Sequence, residues 1–268
     1  MPTELTEIEE LAESIAEQYL DGYVVNVTAI AQDKSITIIH EDYDNYFLGQ
    51  LVHVRNNFYI HVNREQLPEL SDPRARFTIA HDCGHYFIDN HRNRLKKGIS
   101  LTYVKGAGYG KPFYEKEADH FAAHLLMPKT RFISLADHYE PGMDAILGLK
   151  NQFDTSIECT AMHYTKLDVK PCLFIRWRAG GKPYAYSSPS LRKLTGIKEW
   201  ATIKVNQEYL NGLYEEIENS SPRIPYAERV NNLSRWVANI APESDRDLIG
   251  LEQTFKLGDY GGITFLTF

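Results

Sequence analysis

Cysteine is scarce in this chain. Cys83, Cys159 and Cys172 are the only three in 268 residues, an odd and widely spaced set. No disulfide framework follows from them, and a reducing, cytoplasmic setting is expected. Long apolar runs are missing too: none approaches the roughly 18 residues that a membrane span needs. The first twenty residues are acidic and amphipathic, without the basic start and apolar stretch of a secretory signal. Positive charge is nearly absent from the first fifty residues, where Lys34 stands against eleven acidic side chains. With a formal net charge of −7, the whole chain is a poor non-specific ligand for nucleic acid, and direct nucleic-acid binding is not expected. Residues 151–200 reverse the balance, with eight basic against four acidic residues, which leaves room for a small local contact. What is present is the composition of a globular protein, 43% hydrophobic and 24% charged. The length suits one large domain or two modest ones, each with its own core.

Residues 5–20 place Leu5, Ile8, Leu11, Ala12, Ile15, Ala16 and Tyr19 at helical spacing, with glutamates on the other face. Three short β-branched or aromatic runs follow, at 36–39, 51–54 and 58–62. The turn-forming residues between them predict an antiparallel meander. Ser71-Asp72-Pro73 starts a helix that carries Phe77, Ile79, Ala80 and two histidines and should end near Asp89-Asn90. Residues 92–112, basic and then glycine-rich (Gly106, Gly108, Gly110), read as a loop. A second strong helix spans about 113–126 and stops at Met127-Pro128, because the residue before proline disfavours helix. A helix pair follows near 143–151 and 156–167. From Pro171 the pattern turns to strands at 172–175, 184–186 and 263–268.

The chemistry is concentrated in His81-Asp82-Cys83-Gly84-His85. Two histidines four apart on a helix lie about 40° apart at roughly 100° per residue, so both imidazoles can reach one Zn²⁺. The segment reads as the zincin motif H-E-x-x-H with Asp82 in place of the glutamate that takes the proton from the attacking water. A catalytic zinc site needs a third protein ligand. His91 stands six residues beyond His85, at metzincin spacing, but Ile88 occupies the position where that pattern turns on glycine; a surface histidine in a basic loop is the plainer reading. Glu115 is the better candidate. It lies four residues before Asp119 on one helical face, so one carboxylate can bind metal while the other accepts the N–H of a ligand histidine. Glu117 faces elsewhere on that helix, and His120 and His124, also turned away, read as structural or surface residues. Cys83 points away from the ion and reads as core packing.

These segments resemble a known family. Arg76-Phe77-Thr78-Ile79-Ala80-His81-Asp82-Cys83-Gly84-His85 is similar to the active-site helix of the ImmA/IrrE metallopeptidases, usually R-F-T-x-A-H-E-x-G-H. The stretch from Glu115 to Pro128 resembles their second signature, E-x-E-A-N-x-F-A-A-x-L-L-M-P, and Tyr59-Ile60-His61-Val62-Asn63 matches the strand before the helix. The Glu115–Asp119 spacing is also similar to that of thermolysin-like and neprilysin-like gluzincins, where the Glu is the third ligand and the Asp holds the first histidine. The likeness covers roughly residues 5–140. A weaker one continues from Ile146 to Leu167, which looks like the family's helix-turn-helix-like extension.

The resemblance implies an α+β protein. A zincin-like metallopeptidase domain (1–140), with a small antiparallel sheet packed on the active-site helix, is followed by a helix-turn-helix-like segment (141–169). A C-terminal α/β domain (170–268), of a sensor-like kind in some relatives, completes it. It also implies a zinc endopeptidase that cleaves a helix-turn-helix transcriptional repressor in a stress or mobile-element response. His81, His85 and Glu115 would hold the metal, Asp82 would act as general base and Asp119 would orient His81. Tyr103, Tyr109 and Tyr114 are the candidates for stabilising the oxyanion. Asp is one C–C bond, about 1.5 Å, shorter than Glu. The competing reading is therefore a metal-holding module that captures a partner without efficient cleavage. No partner membrane is expected; the C-terminal domain is a candidate sensor of a small molecule or partner.

Overall fold

The structure is a computed structural model that describes residues 2–101, 111–177, 181–198, 202–218, 227–240, 248–257 and 261–268. Two compact units are formed. The first comprises residues 1–132 with 151–156, and the second 133–150 with 157–268.

In the first unit, α1 (Pro2–Ala16) is followed by a two-stranded ribbon, β1 (Leu20–Asp21) and β2 (Val24–Val25), and by α2 (Val27–Asp33). The Asn26 side chain caps α2 by accepting the Ala29 N–H at 3.0 Å, which satisfies one of the donors a helix start leaves open. Three strands come next, β3 (Ile36–Glu41), β4 (Gly49–Val54) and β5 (Asn57–Asn63). Arg55 and Asn56, both at positive φ (47° and 66°), form the two-residue turn between β4 and β5. Such a turn matches the natural twist of a hairpin. β5 buries Phe58, Ile60 and Val62 at alternate positions and takes the centre of the sheet, in the order β3-β5-β4.

The expected antiparallel meander is corrected here. β4 and β5 are antiparallel, but β3 lies parallel to β5, from Ile36 opposite Phe58 to Glu41 opposite Asn63. The 42–48 connection therefore passes the end of β5. Buried Asn63 holds it there: its amide donates to the carbonyls of Asp44 and Phe47, and its Oδ1 accepts the Tyr43 N–H. A buried polar residue that satisfies loop backbone is what allows the chain to cross at this point.

Helix α3 (Pro73–Phe87) begins as the sequence predicts, with Asp72 accepting the Arg74 N–H at 2.7 Å and Pro73 in the first turn. It ends one residue before Ile88, whose extended backbone separates it from α4 (Asp89–Lys96). Residues 92–96 are thus helix rather than the start of the expected 92–112 loop. Gly106, Gly108 and Gly110 lie outside the described residues.

Helix α5 (Phe113–Leu126) packs against both α1 and α3, and α3 also lies on β4 and β5. Ile79, Ala80, Cys83, Ala118, Phe121, Ala122 and Leu125 are fully buried. Gly84 permits the close approach of α3 to α5, since a Cβ there would sit 3.1–3.2 Å from Phe121. Gly84→Ala is expected to cost about 1–3 kcal/mol by overpacking, measurable by urea denaturation.

Buried Arg76 ties the unit together: its guanidinium donates to the Val25 carbonyl and to the carbonyl and carboxylate of Asp154. The acidic face of α1 also has partners. Glu9 takes Lys129, and Glu17 takes Arg131 bidentately at 2.7–2.8 Å.

The second unit includes α6 (Lys129–Ala136) from Ile133 onward, most of α7 (Met143–Phe153), and α8 (Ile157–Lys166). Its sheet holds β6 (Cys172–Trp177), β7 (Tyr184–Ser187), β8 (Ala227–Asn232), β9 (Ile249–Lys256) and β10 (Gly262–Thr267), in the order β7-β6-β10-β9-β8. Every pairing is antiparallel. The expected C-terminal α/β domain is thus an α+β unit: helices lie in the connections after β7 and β8, but every described strand runs antiparallel to its sheet neighbours. β6 and β10 are buried along their whole length. One face carries Leu173, Ile175, Trp177 and Leu266 against Leu210 and Leu213 of α10 (Gln207–Glu218), Leu191 of α9 (Pro189–Thr195), and Leu233 and Trp236 of α11 (Leu233–Trp236). On the other face Tyr164 of α8 meets Phe265 edge-on. Among the described residues no helix is long and apolar enough to cross a membrane.

Candidate metal centre

The packing of α3 on α5 brings His81, His85 and Glu115 together. Their donor atoms lie within 4.8 Å of one another. His81 Nε2 is 3.1 Å from His85 Nε2 and 3.6 Å from Glu115 Oε2, and His85 Nε2 is 3.2 Å from Glu115 Oε1. Donors bonded to one tetrahedral ion at about 2.05 Å stand about 3.3–3.4 Å apart, so the three gaps bracket the spacing a metal requires.

The other ring nitrogens explain the orientation. His81 Nδ1 is 3.0 Å from Asp119 Oδ1, and the Lys111 ammonium donates to the second Asp119 oxygen. A carboxylate only accepts, so the network assigns His81 as the Nδ1–H tautomer. His85 Nδ1 is 3.1 Å from His91 Nδ1, and His91 Nε2 is 3.1 Å from Glu117 Oε2. By the same logic His91 donates through Nε2 to Glu117 and accepts through Nδ1 from His85. Both ligand-type histidines therefore turn Nε2 lone pairs towards each other and towards a carboxylate. Only a proton or a cation between them makes that arrangement favourable.

Electrostatics agree. Burial lowers the His81 pKa, but the Asp119 and Glu115 carboxylates outweigh it and push it up to about 9. Glu115, against the pull of burial, is held far below the usual carboxylate range by the two histidines. His85, buried, is shifted down. In the absence of metal the site retains a proton at neutral pH, and a divalent ion binding there would displace it. The residues fit a metal ion.

Asp82 lies beside this cluster with only 3% of its surface exposed. Burial raises its pKa to about 7, helped by Glu115, while His81 and the Leu51 backbone N–H pull it down. Among the described residues its Oδ2 has no hydrogen-bond partner. A buried acceptor left unpaired costs about 1–3 kcal/mol, which makes this oxygen a candidate functional atom. A Cβ at Gly49 on β4 would come within 3.0 Å of that oxygen, so the glycine keeps the strand clear of it.

Two sequence expectations need revision. His91 is not a surface histidine in a loop. It is 1% exposed on α4 and forms the link between His85 and Glu117. Glu117, set aside because it points away from Glu115, is the outer end of that link. His120 and His124 do face away from the His81 cluster, towards α1. Of the three tyrosines considered for the oxyanion, Tyr103 and Tyr109 lie outside the described residues. The Tyr114 ring lies 6.3 Å from the His85 and His91 rings, under the Arg94 guanidinium. Cys83 is fully buried and unpaired, with its thiol pKa pushed upward by burial, which suits packing rather than reactivity.

An α+β unit with paired helices carrying a two-histidine, one-carboxylate cluster is the arrangement of a metallopeptidase-like protein. Residues 31–163 match the family model described as Peptidase_M78, IrrE N-terminal-like domain. The chain belongs to that family, the ImmA/IrrE metallopeptidases. No curated protein matches it. Among solved structures, a Mycobacterium tuberculosis transcriptional regulator is similar in fold, with a TM-score of 0.59 at 13% identity, over 97% of this chain and 86% of that one.

Proposed function

We propose that this protein is a zinc-dependent endopeptidase of regulatory type. In this reading His81, His85 and Glu115 hold the zinc, Asp82 is the general base, and Asp119 fixes the orientation of His81. The observation that supports it is the convergence of two Nε2 lone pairs and a carboxylate, with both Nδ1 atoms already committed to partners. Two imidazoles and one carboxylate suit tetrahedral Zn²⁺. Zinc, when bound, supplies Lewis acidity that polarises the scissile carbonyl and acidifies water. Asp82, through its unpaired Oδ2, takes the proton from the attacking water and hands it to the leaving amine nitrogen. Lys111 and Asp119 keep His81 in its tautomer, while Glu117 and His91 do the same for His85.

The substrate we propose is a helix-turn-helix transcriptional repressor, cleaved in a stress or mobile-element response in the cytoplasm. The family supports a protein substrate, and the similar fold in a transcriptional regulator supports a regulatory setting. We assign residues 1–140 to the peptidase function, 141–169 to a helix-turn-helix-like segment and 170–268 to a sensor-like domain. The three-residue turn between α7 and α8, with Asp154 at φ 51°, has the length of a helix-turn-helix turn.

A second reading has its own support. Leu51 N–H holds the Asp82 carboxylate, and the aspartate is shorter than the usual glutamate. Both favour a metal-holding module that captures its partner and cleaves it slowly. Incubating the metal-loaded protein with purified repressors separates the two. Cleavage that disappears in Asp82→Asn with metal retained supports the peptidase; a stable complex with the repressor intact overturns it in favour of the second reading.

The ligand set has a direct test. His81→Ala, His85→Ala and Glu115→Ala are each expected to abolish stoichiometric zinc at this centre in metal analysis. Full occupancy in Glu115→Ala would overturn its assignment. His91→Gln is expected to weaken zinc by about 10–100-fold, the usual cost of removing a partner that orients a ligand histidine. An unchanged dissociation constant in competition with a chelator would remove His91 from the site.

A further inference from the structure

Among the described residues a second group of metal-type side chains stands apart from the first. Glu9 of α1 and His120 and His124 of α5 place their donor atoms within 4.8 Å of one another. Glu9 Oε2 is 3.7 Å from His124 Nε2 and 3.9 Å from His120 Nε2. These gaps are only a few tenths of an ångström wider than the edge of a tetrahedral zinc site, about 3.3–3.4 Å. The two imidazoles are four residues apart on α5, with ring centroids 4.4 Å apart; His81 and His85 share that sequence spacing, with centroids 4.8 Å apart. By helical rotation His124 lies about 180° from Glu115, so α5 separates the two clusters.

The surroundings orient the donors. His124, 4% exposed, sets Nδ1 3.4 Å from Glu13 Oε1, the carboxylate–histidine arrangement that turns Nε2 towards a metal. Glu13 is fixed in turn by the Lys129 backbone N–H at 2.7 Å. Lys129 Nζ takes the other Glu9 oxygen at 3.0 Å, which leaves Oε2 towards the imidazoles. The Leu5 carbonyl is 3.1 Å from His120 Nε2. A dication here displaces the proton shared between them and meets that carbonyl as a further oxygen.

We propose that Glu9, His120 and His124 form a second site for a divalent transition-metal ion, of the zinc class, that clamps α1 onto α5. The proposal does not depend on the first centre being a peptidase site. Because α5 also carries Glu115, the clamp steadies the helix that supplies the first centre. The test is equilibrium dialysis of the full chain against Zn²⁺ alone, for wild type, His85→Ala, Glu9→Gln and His124→Gln, with circular dichroism to verify folding. Wild type is expected to bind two equivalents and each single variant one. Added Zn²⁺ is expected to raise the Tm of His85→Ala but not of His85→Ala/Glu9→Gln. A single wild-type equivalent that His85→Ala abolishes, while Glu9→Gln and His124→Gln keep it, overturns the second site and leaves the first intact. A single equivalent that survives His85→Ala and is lost in Glu9→Gln supports the second site and overturns the metallopeptidase reading.

Discussion

Asp82→Asn is expected to lower repressor cleavage by about 10²–10⁴-fold, the range that general-base catalysis contributes. Zinc content should not change, because Asp82 is not among the converging donors. The same substitution should stabilise the metal-free protein. Burial raises the Asp82 pKa from an ordinary 3.8 to about 7, so ionisation is harder in the folded state than in the unfolded chain. The wild type therefore loses stability as pH rises through that interval, and the loss is complete above about 7. A rise from 3.8 to about 7 corresponds to on the order of 4 kcal/mol. Asn carries no charge to desolvate and escapes this penalty. Urea denaturation of the chelated proteins should show the variant ahead at pH 8, with the gap narrowing towards pH 4. Equal stability at pH 8 would mean that Asp82 is solvated, and its assignment as a buried base would fall. Cleavage by the wild type should rise with pH as Asp82 loses its proton.

That a single side chain is expected to be both destabilising and, in the proposed mechanism, required follows from where it sits. The fold satisfies other buried polar groups, such as the Asn63 amide and the Arg76 guanidinium, and among the described residues leaves one Asp82 oxygen unpaired. Strain of this kind persists where chemistry uses it.

The candidate metal cluster was legible in the sequence because its parts are local. The four-residue spacing of His81 and His85, and of Glu115 and Asp119, needs only a helix to put each pair on one face. The support around the cluster was not legible, because it depends on how separate elements meet. His91 sits at a spacing that imitates a third metal ligand. The extended residue Ile88 instead folds α4 back so that His91 meets the Nδ1 of His85 rather than a metal. Glu117 points away from Glu115 on the helix and acquires its role only because His91 arrives there. The glutamates of α1 look like a solvated face until Lys129, Arg131 and the two histidines of α5 are seen against them. Strand pairing failed for a related reason: β3, β4 and β5 were each visible, but the parallel partnership of β3 with β5 rests on Asn63 holding a loop that carries no pattern of its own.

In the C-terminal unit, removal of Glu252 should have the largest effect. A lone glutamate within a strand reads as facing water. Here it is fully buried. Its Oε2 accepts from Trp236 Nε1 at 2.7 Å, Asn231 Nδ2 at 2.6 Å and the Tyr209 hydroxyl at 3.1 Å, and Arg229 Nε stands 3.5 Å from Oε1. One carboxylate thus joins β8, β9, α10 and α11 around the tryptophan, whose ring meets Tyr209 edge-on at 4.8 Å. Arg229 has a second partner in Glu216, so its charge remains paired if Glu252 is lost. The Asn231 amide also donates to the Tyr209 hydroxyl at 2.6 Å, so the indole N–H is the donor that depends most on Glu252. Glu252→Leu is expected to cost about 3–5 kcal/mol, as breaking a buried charged network does, seen as an earlier urea transition of the C-terminal unit. Glu252→Gln keeps the shape and one acceptor and should cost less. A Glu252→Leu variant as stable as wild type would show that this carboxylate serves the unit in some way other than holding it together. Zinc affinity at the proposed centre should be unaffected by either change, because the proposed ligands His81, His85 and Glu115 and the groups that orient them all lie in the first unit.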